Sequence, residues 1–317
     1  MTTAKDDAPR IWQAKHERPP YQRPGLIHWI AHTSLLVAVF ALVAFAIYVV
    51  VFGPQAVFGL EEEIEEVVED IKMDVDDDLA LPPMASDCAN ASDDTMDLGG
   101  ITSFAIGLDA SIYPRIPWKT AREHGVGFAL IPATKGAQNT DGSFADNWSM
   151  VKKCGILRSA VHTYTPDAQA ELQARNLLSQ IANDPGELPP IVDIERAFVS
   201  SKKNCLDLLG ELSTFSQLVE QGTSMPVTIL TTPDYWQKKL NCKEYSELDT
   251  TVRQLAAQPL FVLQPQVDAP TLFGDWHGWR FWRYRNDGRI GHKKVAVDRY
   301  VGSEADLMVW SQGIRAL

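Results

Sequence analysis

The chain reads PPIVDIE from Pro189 to Glu195, a short apolar run that carries two carboxylates near its end. Apolar runs of about four to eight residues bounded by Pro or Gly are typical of buried strands. Acids are seldom buried without partners, because removing a charge from water is costly. Side chains two apart on a strand face the same way, so Asp193 and Glu195 are predicted to project together. This pair indicates a functional site more strongly than a structural role.

Similar apolar runs lie on both sides of this stretch, and helical stretches separate the first five of them. The predicted strands are Phe104–Leu108, Gly127–Ile131, Ile156–Thr163, Pro190–Ile194, Pro226–Thr231, Pro259–Gln264, Trp279–Tyr284 and Val295–Asp298. The predicted helices are Pro117–His124, Phe144–Cys154, Asp167–Asn183, Cys205–Gln221 and Pro233–Leu240. This alternation predicts an α/β fold, a TIM-like barrel of five βα units followed by three β-strands. An open, doubly wound sheet is the alternative.

Further acids lie at the predicted ends of other strands. Asp109 ends the first strand and Asp298 ends the eighth, while His162 lies near the end of the third. Chemistry in such barrels takes place at the C-terminal ends of the strands, so we expect these groups to share one cleft with Asp193 and Glu195. Crowded carboxylates raise one another's pKa, which keeps one of them protonated as a general acid.

Each of these residues also has a structural interpretation. Asp109 can form a turn with Ser111, Asp298 can pair with Arg299 or another base, and His162 can be a hydrogen-bonded core residue. The acids of the PPIVDIE run are the hardest to explain by structure alone.

The N-terminal part of the chain differs from the rest in composition. Residues 30–52 contain no Asp, Glu, Lys or Arg, and this length suffices for a helix to cross a bilayer. Five Lys or Arg precede this segment, which by the positive-inside rule places the N-terminus in the cytoplasm. We therefore expect a cytoplasmic tail (1–28), a single transmembrane helix (29–53), an acidic stalk and flexible linker (54–100) and an extracytoplasmic domain (101–317).

Charge and cysteine content narrow the possible partners and cofactors. Residues 61–78 carry eleven carboxylates and one lysine, which indicates a solvated spacer or, as the alternative, a short partner-binding helix. The rest of the chain shows no basic face, so nucleic acid is an unexpected partner. The cysteines at 88, 154, 205 and 242 form no CxxC pair, and up to two disulfides with open pairing are expected. No metal or other cofactor is predicted.

Several motifs together resemble the glycoside hydrolase family 25 lysozymes, the Chalaropsis-type muramidases. The motifs are GLDAS (107–111), FALIPATKG (128–136), SAVHTY (159–164), VDIE (192–195) and FWRYRNDGRIGHKKVAVDRY (281–300). Their order and spacing cover nearly all of the globular part. The chain departs from the family pattern at Lys135, where Glu or Gln is usual, and at Arg283, which replaces Gln.

The resemblance implies cleavage of the β-1,4 bond between N-acetylmuramic acid and N-acetylglucosamine. It implies a general acid at Glu195, a carboxylate at Asp193 that stabilises the N-acetyl group or the charged intermediate, and site-shaping acids at Asp109 and Asp298. The substrate-binding residues implied by the resemblance are His162, Lys135, Tyr164, Trp282 and Tyr284.

Two functions follow as expectations. The first is an enzyme anchored in the bacterial inner membrane, with its domain in the periplasm or otherwise outside the cytoplasm. It cleaves peptidoglycan strands, opening the wall locally around an envelope-spanning protein complex. The alternative is a catalytically weak or inactive domain that binds peptidoglycan as a scaffold of such a complex.

Overall fold

The structure, a computed structural model, describes residues 81–89, 91–99, 103–195, 205–239 and 250–315. The predicted tail (1–28), transmembrane helix (29–53) and acidic stalk lie outside these residues, as does Cys242. Within the described ranges, no helix combines the length and the apolar character that a membrane crossing requires.

Within the described ranges, ten strands form one sheet, and eight of them form a ring. The strands are β1 (Met96–Asp97), β2 (Ile106–Asp109), β3 (Val126–Lys135), β4 (Asn139–Thr140), β5 (Leu157–Thr163), β6 (Ile191–Asp193), β7 (Thr228–Thr231), β8 (Leu260–Leu263), β9 (Phe281–Ile290) and β10 (Lys293–Tyr300). The ring runs β2-β3-β5-β6-β7-β8-β9-β10 and closes where β10 pairs with β2. The predicted barrel is confirmed, and the open sheet is excluded.

Strand direction divides the barrel into a parallel part and one reversed strand. Each pairing from β2 round to β9 is parallel, whereas β10 runs antiparallel to both β9 and β2. The end of the barrel at which the seven parallel strands finish is called the mouth below, and the opposite end is called the base. Because β10 is reversed, its own C-terminal end lies toward the base.

Helices cover the outside of the ring. They are α1 (Trp118–Glu123), α2 (Phe144–Lys153), α3 (Ala170–Ile181), α4 (Cys205–Thr223), α5 (Thr250–Ala257) and α6 (Glu304–Arg315), with a π-helical turn at Tyr235–Lys239. The first four and the π-helical turn match the predicted helices of the five βα units. The helices α5 and α6 were not predicted, because the flanking sequence shows no clear helical period.

Side chains alternate between the barrel interior and the helix-facing side. One apolar cluster, which includes Phe128, Leu130, Leu230 and Phe261, fills the interior. A second cluster joins the neighbouring strand residues to the helices and contains, among others, Ala129, Ile131, Ile229, Val262, Trp148 and Phe215. The side on which a residue lies therefore decides whether it can contact the barrel lumen.

The segment before β2 was predicted to be a flexible linker, but the structure shows it tied to the barrel. Cys88 forms a disulfide with Cys154 at the end of α2. The Ala85 amide donates to the Lys153 carbonyl over 2.7 Å, and β1 pairs with the tip of β9. We call residues 81–99 the strap. It belongs physically to the domain whose start was predicted at residue 101.

The strap begins at the base of the barrel. Leu81 lies beside Gly127 at the start of β3, and Pro82 lies beside Gly155 just before β5. Leu81 shares its apolar cluster with Leu307 and Met308 of α6, which close the base. The chain therefore enters the domain at the end opposite the mouth.

Candidate active site

Three of the acids predicted to converge, Asp109, Asp193 and Asp298, lie on the inward side of the barrel strands, but at different depths. Asp109 is the last residue of β2 and lies at the mouth. Asp298 lies opposite Gly107, one inward position closer to the base than Asp109. The prediction placed Asp298 at the mouth because it assumed a parallel eighth strand. The reversed direction of β10 puts it deeper, with no exposed surface.

Arg283 of β9 links these two acids. Its Nε donates to Oδ1 of Asp298 over 2.9 Å, and its Nη2 donates to Oδ2 of Asp298 over 3.3 Å and to Oδ2 of Asp109. The second oxygen of Asp109 accepts a 2.7 Å hydrogen bond from the Ser111 amide. Both structural alternatives for these acids are therefore realised, with Arg283 in place of Arg299 as the partner. We call Arg283, Asp109 and Asp298 the ion triad.

Burial controls the protonation of the ion triad. Burial raises the pKa of Asp298 to about 7, against the lowering effect of Arg283, and the charge of Asp109 adds to the rise. Burial also disfavours the Arg283 cation, but the attraction of Asp298 and Asp109 outweighs it and raises the pKa of the guanidinium. One permanent cation thus faces two acids, and burial favours the protonated form of Asp298.

Asp193 and Glu195 lie at the mouth, two residues apart in the chain but on different kinds of backbone. Asp193 ends β6 and is buried, whereas Glu195 lies in the turn that follows and is half-buried. The Glu195 amide donates to Oδ1 of Asp193 over 3.0 Å. The sequence predicted that strand alternation positions Glu195 beside Asp193. This is wrong, because Glu195 lies beyond the end of β6. Instead, Asp193 fixes the turn that carries it.

His162 lies on the opposite side of β5 from the lumen. Its Nδ1 and the Thr134 hydroxyl are 2.7 Å apart, and its Nε2 lies 3.2 Å from the Gln173 side-chain oxygen. The ring stacks on Phe215 of α4, with centroids 5.0 Å apart, and has no exposed surface. Burial lowers the pKa of His162 to about 4, which the Gln173 hydrogen bond opposes. This imidazole stays neutral and ties β5 to the surrounding helices.

The three predicted aromatic contacts also belong to the outer cluster. The Tyr164 hydroxyl donates to Glu211 of α4, and burial raises its pKa. The Trp282 indole donates to the Gln264 carbonyl, and the Tyr284 hydroxyl donates to the Leu98 carbonyl of the strap. All are buried. Contact of His162, Tyr164, Trp282 and Tyr284 with substrate stays a prediction, and their placement argues against it.

Lys135 is the one predicted binding residue that lies on the lumen side of its strand. It ends β3, pairs with Thr163 and is exposed. A register shift between Pro132 and Thr134 turns Thr134 toward His162 and leaves Lys135 on the side of the lumen. An exposed ammonium at this place can hold a carboxylate or a sugar oxygen of a ligand.

Arg283 is the site residue whose role the sequence reasoning missed. Arg283 lies two residues after Phe281, which faces inward, so Arg283 faces inward as well. In the antiparallel hairpin it lies opposite Asp298. Without the strand register, a charged residue in an apolar run does not reveal its partner.

The buried neutral state of His162 generates a prediction about stability. Its pKa in the folded chain, about 4, lies below the ordinary value of 6.5, so the unfolded chain binds a proton that the folded chain does not. The free energy of unfolding therefore falls as pH drops from about 6.5 to 4, by roughly 3 kcal/mol from this group. Denaturant unfolding at several pH values measures this slope.

The His162→Gln variant isolates the contribution of the imidazole. It is expected to lose this part of the slope, whereas His277→Gln, which removes an exposed imidazole, keeps the wild-type slope. An unchanged slope in His162→Gln would contradict the assignment.

Comparison with known proteins agrees with this geometry. The sequence profile described as Glycosyl hydrolases family 25 matches residues 108–292. Lysozyme M1 of Streptomyces globisporus is 30% identical over 220 residues, covering 65% of this chain and 71% of that protein. The "Uncharacterized protein YegX" of Escherichia coli O157:H7 is 27% identical over 217 residues, covering 66% and 74% of the two chains.

A solved structure supports the same assignment. The bacterial lysozyme of Streptomyces coelicolor superposes with a TM-score of 0.58 at 26% identity, covering 68% of this chain and 100% of that chain. The profile match alone spans more than half of the 317 residues and includes Asp109, the VDIE acids and Arg283. The chain belongs to glycosyl hydrolases family 25 and is a glycoside hydrolase.

Proposed function

We propose that this protein is a membrane-anchored muramidase that cleaves the β-1,4 bond between N-acetylmuramic acid and N-acetylglucosamine in peptidoglycan. The observation that carries the proposal is the pair Asp193 and Glu195 at the mouth of a family 25 barrel. Two of the relatives bear the names lysozyme and N,O-diacetylmuramidase, which supports the same substrate class.

Glu195 acts as the general acid. Glycoside hydrolysis needs a protonated carboxyl that donates to the leaving oxygen and a second carboxylate that stabilises the oxocarbenium-like centre. Glu195 is half-buried at the mouth, within reach of a ligand, and its turn is held by the Asp193 hydrogen bond. Asp193 is buried beside it as the second carboxylate. It either attacks the sugar or orients the acetamido group of the substrate, and both routes begin with proton transfer from Glu195.

The ion triad has a different part in the site. Both oxygens of Asp109 and both oxygens of Asp298 accept hydrogen bonds within the protein. These acids therefore form one wall of the lumen with a fixed shape, while proton transfer is assigned to Glu195.

The pairing of Arg283 with two acids also favours a second candidate function. A barrel whose Asp109 and Asp298 serve only to hold Arg283 retains a peptidoglycan-binding surface without efficient turnover. On this alternative the protein is a scaffold of an envelope-spanning complex. Measured turnover separates the two candidates.

The Glu195→Gln variant tests the catalytic assignment. It retains the shape of the side chain but has no acidic proton, so we expect release of reducing ends from purified peptidoglycan to fall about 100-fold or more. The matched control is Glu123→Gln, which removes an exposed carboxylate on α1 near the base. The control is expected to keep wild-type activity. Equal activity of Glu195→Gln and wild type would reject the enzyme assignment and favour the scaffold.

The membrane anchor is proposed from residues 29–53 together with the strap. The strap enters the barrel at the base, beside Gly127 and Gly155, and its disulfide fixes it there. An anchor before residue 81 would therefore join the domain at the base, the end opposite the mouth. This geometry suits local wall remodelling around an envelope-spanning assembly, which is the role that we propose for the anchored enzyme.

Membrane extraction tests the anchor. The full-length chain is expected to stay in the membrane pellet after alkaline carbonate treatment, because about 20 apolar residues hold a helix in the bilayer. Deletion of residues 30–52 is expected to release the protein. Deletion of residues 61–78, which removes the acidic stalk and keeps the apolar segment, serves as the control and is expected to leave it in the pellet. Extraction of the full-length chain by carbonate would contradict an integral anchor.

A further inference from the structure

Three residues lie side by side at the mouth of the barrel and lead away from the carboxylate pair. Lys135 of β3 pairs in register with Thr163 of β5, and Thr163 pairs in turn with Asp193 of β6. In-register residues of parallel strands point to the same side of the sheet, and neighbouring strands lie about 4.8 Å apart. The Cα atoms of Lys135 and Asp193 are therefore separated by about 10 Å, two strand spacings. We call Lys135, Thr163 and Asp193 the mouth row.

The direction in which Lys135 points follows from a bulge in β3. Pro132 pairs with Val161 but Thr134 pairs with His162, so one extra residue of β3 lies between the two pairs. The Thr134 hydroxyl lies 2.7 Å from Nδ1 of His162, whose ring packs against α4 outside the lumen. Lys135, the next residue along the strand, therefore projects to the opposite side, toward the lumen.

Hydrogen bonds hold the backbone around Lys135 in place. Lys135 pairs with Asn139 of β4, and the Gly136 amide donates to the Thr163 carbonyl over 3.0 Å. Nδ2 of Asn176 on α3 donates to the carbonyls of Gly136 over 2.8 Å and of Asn139 over 3.1 Å. The turn after Lys135 is thus tied to both β5 and α3. A ligand that binds the ammonium therefore restricts the side chain alone, which keeps the entropic cost of binding low.

The Lys135 ammonium is free to bind an anion of a ligand. The residue is exposed, and within the described ranges no carboxylate oxygen lies within 4.0 Å of its nitrogen. Other lysines of the domain do have such partners, for example Lys119 with Glu123 and Lys153 with Asp87. Since no ion pair of this kind competes for Lys135, a carboxylate of a ligand can take that place.

The mouth row has a charge where the proposed substrate has one of opposite sign. In the proposed reaction the muramic residue lies with its anomeric carbon at Asp193, and its 3-O-lactyl arm extends away from that carbon. The arm ends in a carboxylate in peptide-free strands. In peptide-bearing strands it continues into a stem peptide with carboxylates of its own. An ammonium on a flexible four-carbon stem suits a single anionic group of this kind.

We propose that Lys135 is a specificity-determining residue: its ammonium binds a carboxylate carried by the muramic residue at the cleaved bond, so the domain selects anionic glycan strands over neutral ones. This inference rests on the proposed function, which places the glycan strand at Asp193. Polymers of N-acetylglucosamine alone carry no carboxylate and gain nothing from the cation. Because the ion pair is in contact with water, it contributes about a fivefold preference at low salt, and the preference shrinks as salt is added.

Binding to glycan strands with and without their carboxylates tests the proposal. Peptide-free strands are made neutral by amidation of the lactyl carboxyls, and titration calorimetry gives the Kd of the charged and the amidated form. The full-length protein carries Glu195→Gln throughout, so that the strands stay intact. The readout is the charge preference, which is the Kd of amidated strands divided by the Kd of charged strands. A general loss of folded protein does not change this ratio.

The variants of Lys135 are expected to move the charge preference in a set order. It is about five in the parent protein and falls to about one with Lys135→Gln. It falls below one with Lys135→Glu, because a carboxylate in this place repels the charged strand. Lys135→Arg keeps the positive charge and is expected to keep the preference. The matched control, Lys152→Gln, removes an exposed ammonium of α2 near the base and is expected to keep the parent value.

A second arm, with peptide-bearing strands before and after amidation, identifies the carboxylate. A preference that depends on Lys135 in peptide-free strands assigns the lactyl carboxylate, whereas one that appears only in peptide-bearing strands assigns a carboxylate of the stem peptide. No preference in either arm, or a preference that Lys135→Gln leaves unchanged in both, would overturn the proposal. Absence of cleavage by wild type would instead reject the proposed function, and the charge preference stays measurable in that case.

Discussion

The pairing of β10 with both β2 and β9 is the constraint on which the rest of this structure depends. It closes eight strands into a ring, so that no strand of the ring has an unpaired edge. Because β10 runs against its neighbours, it also places Asp298 beside Arg283 and one inward position below Asp109. The pairing that closes the ring therefore also brings the members of the ion triad together. A buried cation with two acids is costly, and only the complete set of hydrogen bonds offsets that cost.

The two sides of the barrel strands divide the work of the domain. The inward side carries Asp109, Asp193 and Asp298, and the chemistry proposed here takes place along it. The outward side carries His162 and the aromatic residues that follow the same strands, and there the polar atoms bond to helices, loops and the strap. Neighbouring residues of one strand thus have different roles. Those that face the lumen line the site, and those that face outward hold the strand to its surroundings.

Much of this arrangement follows from sequence, and the exceptions have physical causes. The barrel and the VDIE acids follow from apolar periodicity, which reports burial directly. The outward placement of His162 does not follow from the sequence. In a strand that is buried on both sides, periodicity does not show which side faces the lumen and which faces the helices. The depth of Asp298 depends on strand direction, and the partner of Arg283 depends on strand register. The docking of the strap depends on a disulfide between Cys88 and Cys154, whose pairing no spacing rule reveals.

A closed barrel and a carboxylate pair at its mouth support one central proposal: the domain cleaves the glycan strand at the bond that follows N-acetylmuramic acid. Mass spectrometry of the fragments released from purified peptidoglycan tests this claim most directly. We expect fragments whose new reducing ends are N-acetylmuramic acid. Fragments ending in N-acetylglucosamine, or stem peptides released from uncut glycan, would contradict it.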